Sequence, residues 1–263
     1  MVRLSLLGIG AACAAALMLC LWLLQARIRD ASHVDVGWTY GLGLLAVLYA
    51  ALGEGDASHR VLVACLGGIW SLRLGTYLLV DRVLGRPEDG RYAALRSKWG
   101  TRANRRFLVF FQAQAALDVV FSLPFLFVVF NGHDGLEPLE WAGAALWAVG
   151  LAGESAADLR LARWRANPAN RGRTCRAGLW RYSRHPNYFF EWTVWIAFAL
   201  ISTAAPWGWI GWVAPALLLY FLFRVSGVPA TEEQALRSRG EDYRRYRRET
   251  SAFVPWFPRR ART

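Results

Sequence analysis

Seven long apolar stretches leave this chain little choice of fold. A helix needs about 20 apolar residues to cross a hydrocarbon core of about 30 Å. Inside that core each backbone polar group must be bonded within the protein, which leaves only helices or closed barrels. The first stretch, 4–25, carries no charge; Arg3 precedes it and Arg27 and Arg29 follow. Its apolar core is long and no small-residue cleavage site closes it, so it reads as a retained helix, not a signal peptide. The other six run at about 34–53, 61–80, 107–130, 139–158, 188–203 and 207–228, with Pro206 making a tight hairpin of the last two. The expected fold class is an all-α polytopic membrane protein of about seven transmembrane helices.

Composition narrows this further. With 55% hydrophobic and 19% charged residues, the chain lacks the low apolarity and high charge of disorder. Four cysteines in 263 residues exclude a secreted disulfide scaffold. The net charge of +12, with Lys98 the single lysine, suits either nucleic acid or the positive cytoplasmic loops of a membrane protein. Position decides between them, because the arginines cluster at helix ends. The loop 81–106 holds eight basic residues, the loop 159–187 eight arginines and no acid, and the tail 229–263 nine arginines. The loops 131–139 and 202–206 hold no Lys or Arg. Alternation of this kind places the N-terminus outside and the C-terminus in the cytoplasm, with no role for nucleic acid. There is no internal repeat and no Gly/Ser-rich linker, so 1–263 reads as a single integral membrane domain. Its expected location is a bacterial inner membrane, with membrane lipids as neighbours.

Ionisable residues inside membrane helices are costly and mark function by default. Here they are Asp35, Arg73, Asp118, Glu154, Asp158, Glu191 and Arg224. The richest segment is 154–191. Pro186 marks a loop-to-helix switch, since proline is tolerated in a first helical turn. Asn187 and Glu191 then stand four apart on one helix face, where an amide and a carboxylate can hold a polar ligand such as a carboxamide. Arg184 and His185 precede the helix. With Arg160, Arg163, Arg165, Arg171, Arg173, Arg176 and Arg181 they form a cationic wall suited to phosphate. Any one of these arginines is equally explained by topology or by lipid headgroups; their combination with His185, Asn187 and Glu191 is what points to a site. Cys13, Cys20, Cys65 and Cys175 have no redox or metal spacing, and four scattered histidines give no metal site.

The stretches Glu154-Ser-Ala-Ala-Asp158 and Gly178-Leu-Trp-Arg-Tyr-Ser-Arg-His-Pro-Asn-Tyr-Phe-Phe-Glu191 resemble the DUF1295 membrane family. That family is grouped with the steroid 5-alpha-reductase C-terminal domain. Val34-Asp-Val-Gly-Trp38, Arg86-Pro-Glu-Asp-Gly-Arg-Tyr92 with Trp99, Gly240-Glu-Asp-Tyr243 and Phe253-Val-Pro-Trp-Phe257 look like the same family, so the resemblance covers about 34–258. The Arg-His-Pro-Asn-Tyr motif also occurs in sterol reductases. It resembles the Arg-His-Pro motif of isoprenylcysteine carboxyl methyltransferases as well.

The resemblance implies a helical membrane enzyme whose cytosolic loops close over a nucleotide, NADP(H) in the reductases. By motif position Asn187 would hold the nicotinamide amide. Trp180, Tyr182, Arg184, His185 and Glu191 would line the pocket, Asp158 and Arg165 would bind the ribose and phosphate part, and Tyr243 and Tyr246 would come from the tail. The chain departs from the family on the substrate side. Steroid reductases polarise the substrate carbonyl with a Glu in the second helix and a Tyr in the third. Here Asp35 is the nearest acid, and Trp70 stands where the Tyr is expected. Asp35, Tyr40, Arg73 and Tyr77 are therefore the candidates on that side. The expected activity is NADPH-dependent reduction of a carbon–carbon double bond in a lipophilic enone. One alternative is an S-adenosylmethionine-dependent membrane methyltransferase, because Thr231-Glu-Glu-Gln234 looks like that family's tail. A non-enzymatic membrane scaffold is the other.

Overall fold

The computed structural model describes residues 2–225 and 227–259. Every regular element among them is helical. Eleven α-helices follow in chain order: α1 Val2–Ile28, α2 His33–Leu52, α3 Ala57–Leu78, α4 Gly90–Trp99, α5 Ala103–Phe121, α6 Leu123–Val128, α7 Pro138–Ala166, α8 Pro186–Thr203, α9 Val213–Arg224, α10 Val228–Arg239 and α11 Glu241–Glu249. All seven apolar stretches fall on helical structure. Five helical segments among the described residues are long and apolar enough to cross a membrane: Arg3–Ile28, His33–Leu52, Ala57–Val83, Gly90–Val128 and Gly208–Arg239. The stretches at 139–158 and 188–203 form α7 and α8 but are not among the five. Acids dilute the first, and the second opens on Asn187 and Glu191.

The regions expected as plain loops carry more structure. The loop 81–106 contains α4, whose start is capped by the Asp89 carboxylate accepting from the Arg91 amide. The fourth apolar stretch breaks at Ser122, and Pro124 opens the short α6 beyond it. The tail folds into α10 and α11, parted by Gly240 at φ 54°, where a residue with a side chain would be strained.

Contacts cluster the chain into two compact units: Met1–Trp141 with Ile201–Val213, and Ala142–Leu200 with Ala214–Thr263. In the first, α2 is the most buried of the candidate spans, and α3 lies against it along small residues. A Cβ on Gly43 would stand 2.2 Å from Ser71 Oγ, and one on Gly67 2.5 Å from Ala46 Cβ. Close approach of this kind is how helices associate where lipid removes the hydrophobic drive. Ser71 Oγ donates to the Thr39 carbonyl at 2.9 Å. Tyr92 of α4 packs with Phe107 and Phe111 of α5. At the start of α3, fully buried His59 has one ring nitrogen 2.7 Å from Glu140 Oε1 and the other 3.0 Å from the His133 carbonyl.

The second unit is built on a similar seam between α7 and α8. A Cβ on Gly153 would fall 2.3 Å from the Phe190 ring, and one on Gly150 2.8 Å from Val194. That contact brings Asp158 on α7 level with the first turn of α8.

Candidate functional site

In the second unit, the loop entering α8 is held from three directions. From α7, the Ala157 carbonyl accepts Trp180 Nε1 at 2.9 Å, and Asp158 Oδ1 accepts Asn187 Nδ2 at 3.1 Å. From α11, the buried Tyr246 hydroxyl donates toward the Trp180 and Ser183 carbonyls. From the tail, Thr250 to Phe257 runs beside the loop as a strap. The Arg184 amide donates to the Ser251 carbonyl, the Trp256 amide to the Tyr182 carbonyl, and Ser183 Oγ to the Phe253 carbonyl, at 2.9, 2.9 and 2.7 Å. Buried polar groups are costly unless bonded, so this set defines one loop conformation.

Glu232 on α10 is the hub of the charge network. It accepts Arg184 Nε at 2.7 Å, lies 3.2 Å from Arg247 Nε and 3.4 Å from His185 Nε2. The His185 ring stacks on Tyr188 with centroids 5.4 Å apart. Asp242, at the start of α11, accepts the Thr174 amide at 2.7 Å and Arg176 Nη2 at 2.9 Å. Partial burial would raise its carboxyl, but the Thr174 bonds and the Arg176 charge outweigh that and hold it below the usual carboxylate range. Burial pushes the Tyr243 hydroxyl up to about 12 and raises that of Tyr246 as well.

Positive charge gathers around Cys175. This thiol is 3% exposed, and burial raises its pKa against the opposing charges of Arg160, Arg239 and Arg165. Three guanidiniums from α7 and α10 thus act on one point. Nearby in sequence, Trp164 Nε1 and Arg176 Nε are buried and have no hydrogen-bond partner among the described residues. Donors without acceptors beside converging arginines are the chemistry a phosphate-bearing nucleotide would satisfy.

The sequence-derived residues of this unit therefore gather into one region, with distinct partners. Asn187 meets Asp158, whereas Glu191 accepts Trp195 Nε1 at 2.9 Å. Tyr182 sets its ring against Phe257, at 6.1 Å between centroids. Tyr243 lies beside Tyr246 and under the Arg239 guanidinium. Glu232 and Asp242 were not among the expected site residues. Their signal was present in the Thr231–Gln234 and Gly240–Tyr243 motifs, which the resemblance picked out without assigning a role to either acid.

In the first unit the candidates fall into three groups. Asp35 accepts the Tyr92 hydroxyl and Arg91 Nη2, both at 2.6 Å, with Arg82 Nη1 at 3.6 Å. Tyr40 lies over Gly75, its hydroxyl 3.1 Å from Thr76 Oγ1. The Arg73 guanidinium stands 5.6 Å from the Tyr77 ring centroid. Tyr92 is the residue that sequence reasoning missed here: an acid on the second helix does have a tyrosine partner, but it comes from α4 and not from α3.

The model of a family described as a protein of unknown function, DUF1295, matches residues 21–250. No curated protein and no solved structure matches the chain.

Proposed function

We propose that this chain, which belongs to the DUF1295 family, is an NADPH-dependent membrane reductase of a carbon–carbon double bond in a lipophilic enone. One observation carries the reading. The Asn187 carboxamide is set on the Asp158 carboxylate at the end of an arginine-rich segment that contains buried donors without acceptors. When bound, NADPH supplies a hydride to an activated alkene. Asn187 orients the carboxamide of the nicotinamide, and Asp158 accepts from ribose hydroxyls while fixing the Asn187 side chain. Arg160, Arg165 and Arg239 take phosphate oxygens through forked donors. Trp180 and Tyr246 close the loop over this region and exclude water.

On the substrate side, the Tyr92 hydroxyl donates to the Asp35 carboxylate and would polarise a carbonyl oxygen by turning its proton from that carboxylate to the substrate. Asp35, with Arg82 and Arg91 beside it, accepts and positions that hydroxyl. The topology we assign is seven crossings, N-terminus out and C-terminus cytoplasmic, in a bacterial inner membrane. It rests on the alternation of arginine-rich and arginine-free loops.

Titration of the detergent-purified chain with NADPH, NADH and S-adenosylmethionine tests the reading. NADPH is expected to bind most tightly. A second reading, a membrane methyltransferase, draws on the Thr231–Gln234 stretch, whose Glu232 bonds the Arg184-His185 pair. Tight S-adenosylmethionine binding without dinucleotide binding would replace the first reading with the second.

A further inference from the structure

The strap that holds the motif loop also builds a cleft whose chemistry the nucleotide reading leaves unused. Phe253 packs on both helix ends of the second unit. Its ring centroid is 5.6 Å from Phe189 and 5.7 Å from Trp192, in the first turns of α8, and 5.2 Å from Phe223, next to the last residue of α9. This contact pins the strap at the C-terminal end of α9, the apolar part of the candidate span Gly208–Arg239.

Just past that anchor the chain stops burying apolar side chains. Val254, Trp256 and Phe257 are 53, 69 and 76% exposed. They line a cleft of about 400 Å³ together with Arg184, Arg247, Arg248, Arg259 and one acid, Glu249, whose carboxylate lies 3.1 Å from Arg245 Nε. That volume lies toward the low end of the roughly 300–1,000 Å³ of ligand sites. Arg184 and Arg247 share the single carboxylate of Glu232, and Arg248 pairs with Glu241 only at the exposed surface, where such pairs are weak. The cleft is therefore cationic, and its rim is bare aromatic surface.

These two properties select an occupant. A soluble anion would satisfy the arginines and leave Trp256 and Phe257 in water. A lipid satisfies both, because aromatic rings settle at headgroup level and anionic leaflets attract arginine. We propose that this cleft takes the phosphate headgroup of an anionic phospholipid from the leaflet at which α9 ends, with Trp256 and Phe257 seated among the adjoining lipids. Arg248 and Arg259 clamp the phosphate oxygens. The strap that orders the Tyr182–Arg184 loop is thereby tied to the membrane surface.

Native mass spectrometry of the full chain in a neutral detergent tests this, with phosphatidylglycerol and phosphatidylcholine as probes. The parent protein should retain phosphatidylglycerol in preference to phosphatidylcholine. Arg248→Gln/Arg259→Gln should lose about twenty-five-fold in affinity for phosphatidylglycerol, at about fivefold per arginine, with phosphatidylcholine retention and helical content unchanged. Excess inorganic phosphate should leave the lipid bound. Equal phosphatidylglycerol affinity in parent and double variant would overturn the proposal. Displacement of the lipid by inorganic phosphate would also overturn it, since that marks a site for free anions. The nucleotide titration is a separate measurement, so failure here leaves the reductase reading standing.

Discussion

The Asn187 side-chain amide donates to the Asp158 carboxylate across 29 residues of chain, at 3.1 Å, with Asp158 only 3% exposed. The contact exists because Gly150 and Gly153 let α7 approach α8 to within van der Waals contact of Phe190 and Val194. Asn187 donates through its side-chain nitrogen, and in the proposed site its carbonyl oxygen would accept from an incoming carboxamide. Asn187→Ala is therefore expected to weaken NADPH and NADH binding alike, by about 0.5–1.5 kcal/mol for the lost hydrogen bond and more for the desolvated partner. Asp158→Asn should do the same. Unchanged affinity for both nucleotides, read by isothermal titration, would remove the pair from the site.

Arg165 should separate the two nucleotides. Only NADPH offers the extra phosphate, so Arg165→Ala should reduce NADPH affinity more than NADH affinity. The difference in the parent protein should shrink at high salt, since partly exposed charges are screened over about 8 Å at physiological ionic strength. Equal NADPH and NADH affinity in the parent protein would rule out the phosphate clamp.

Glu232 holds three cationic or protonatable partners, and its pairing with Arg184 leaves each side chain 11% exposed. Glu232→Gln leaves Arg184 and Arg247 without their countercharge. The expected loss is about 2–3 kcal/mol, somewhat below the cost of breaking a fully buried pair. A thermal melt in detergent reads it. A melting temperature within error of the parent would show that the network is incidental.

Asp242 links the strap region to acid. Its folded pKa lies below the ordinary value, because the Thr174 and Arg176 contacts outweigh burial. Its contribution to stability is therefore complete above the ordinary aspartate value of about 4 and is lost as pH falls through the depressed value. Asp242→Asn should lower the melting temperature at neutral pH and flatten its fall below about pH 4. Parallel acid profiles for parent and variant would contradict this assignment.

Topology has its own test. A cytoplasmic reporter fused to the C-terminus should be active, and one inserted in the loop 131–139 should behave as external. Both reporting the same side would require an even number of crossings between that loop and the C-terminus.

The helical membrane class was legible in the sequence because the length of an apolar run is a local property. A run such as 4–25, without a charge, has few other ways to bond its backbone in lipid. The expected direction of the loops is read in the same local way, from where arginines fall, and the Arg184-His185-Pro186-Asn187 motif marked the segment that α7, α11 and the strap hold. Hydrogen-bond partners were not readable. Four-residue spacing placed Asn187 and Glu191 on one face, yet Asn187 meets Asp158 and Glu191 meets Trp195. Asp35 finds its tyrosine 57 residues on, in α4, and Glu232 gathers Arg184 and Arg247 from opposite sides in the sequence. Periodicity tells which face of a helix a residue occupies. A hydrogen bond near 3 Å also requires the helix crossing and the loop path, and those are set by packing at Gly150, Gly153 and Phe253 that only the folded chain brings into being.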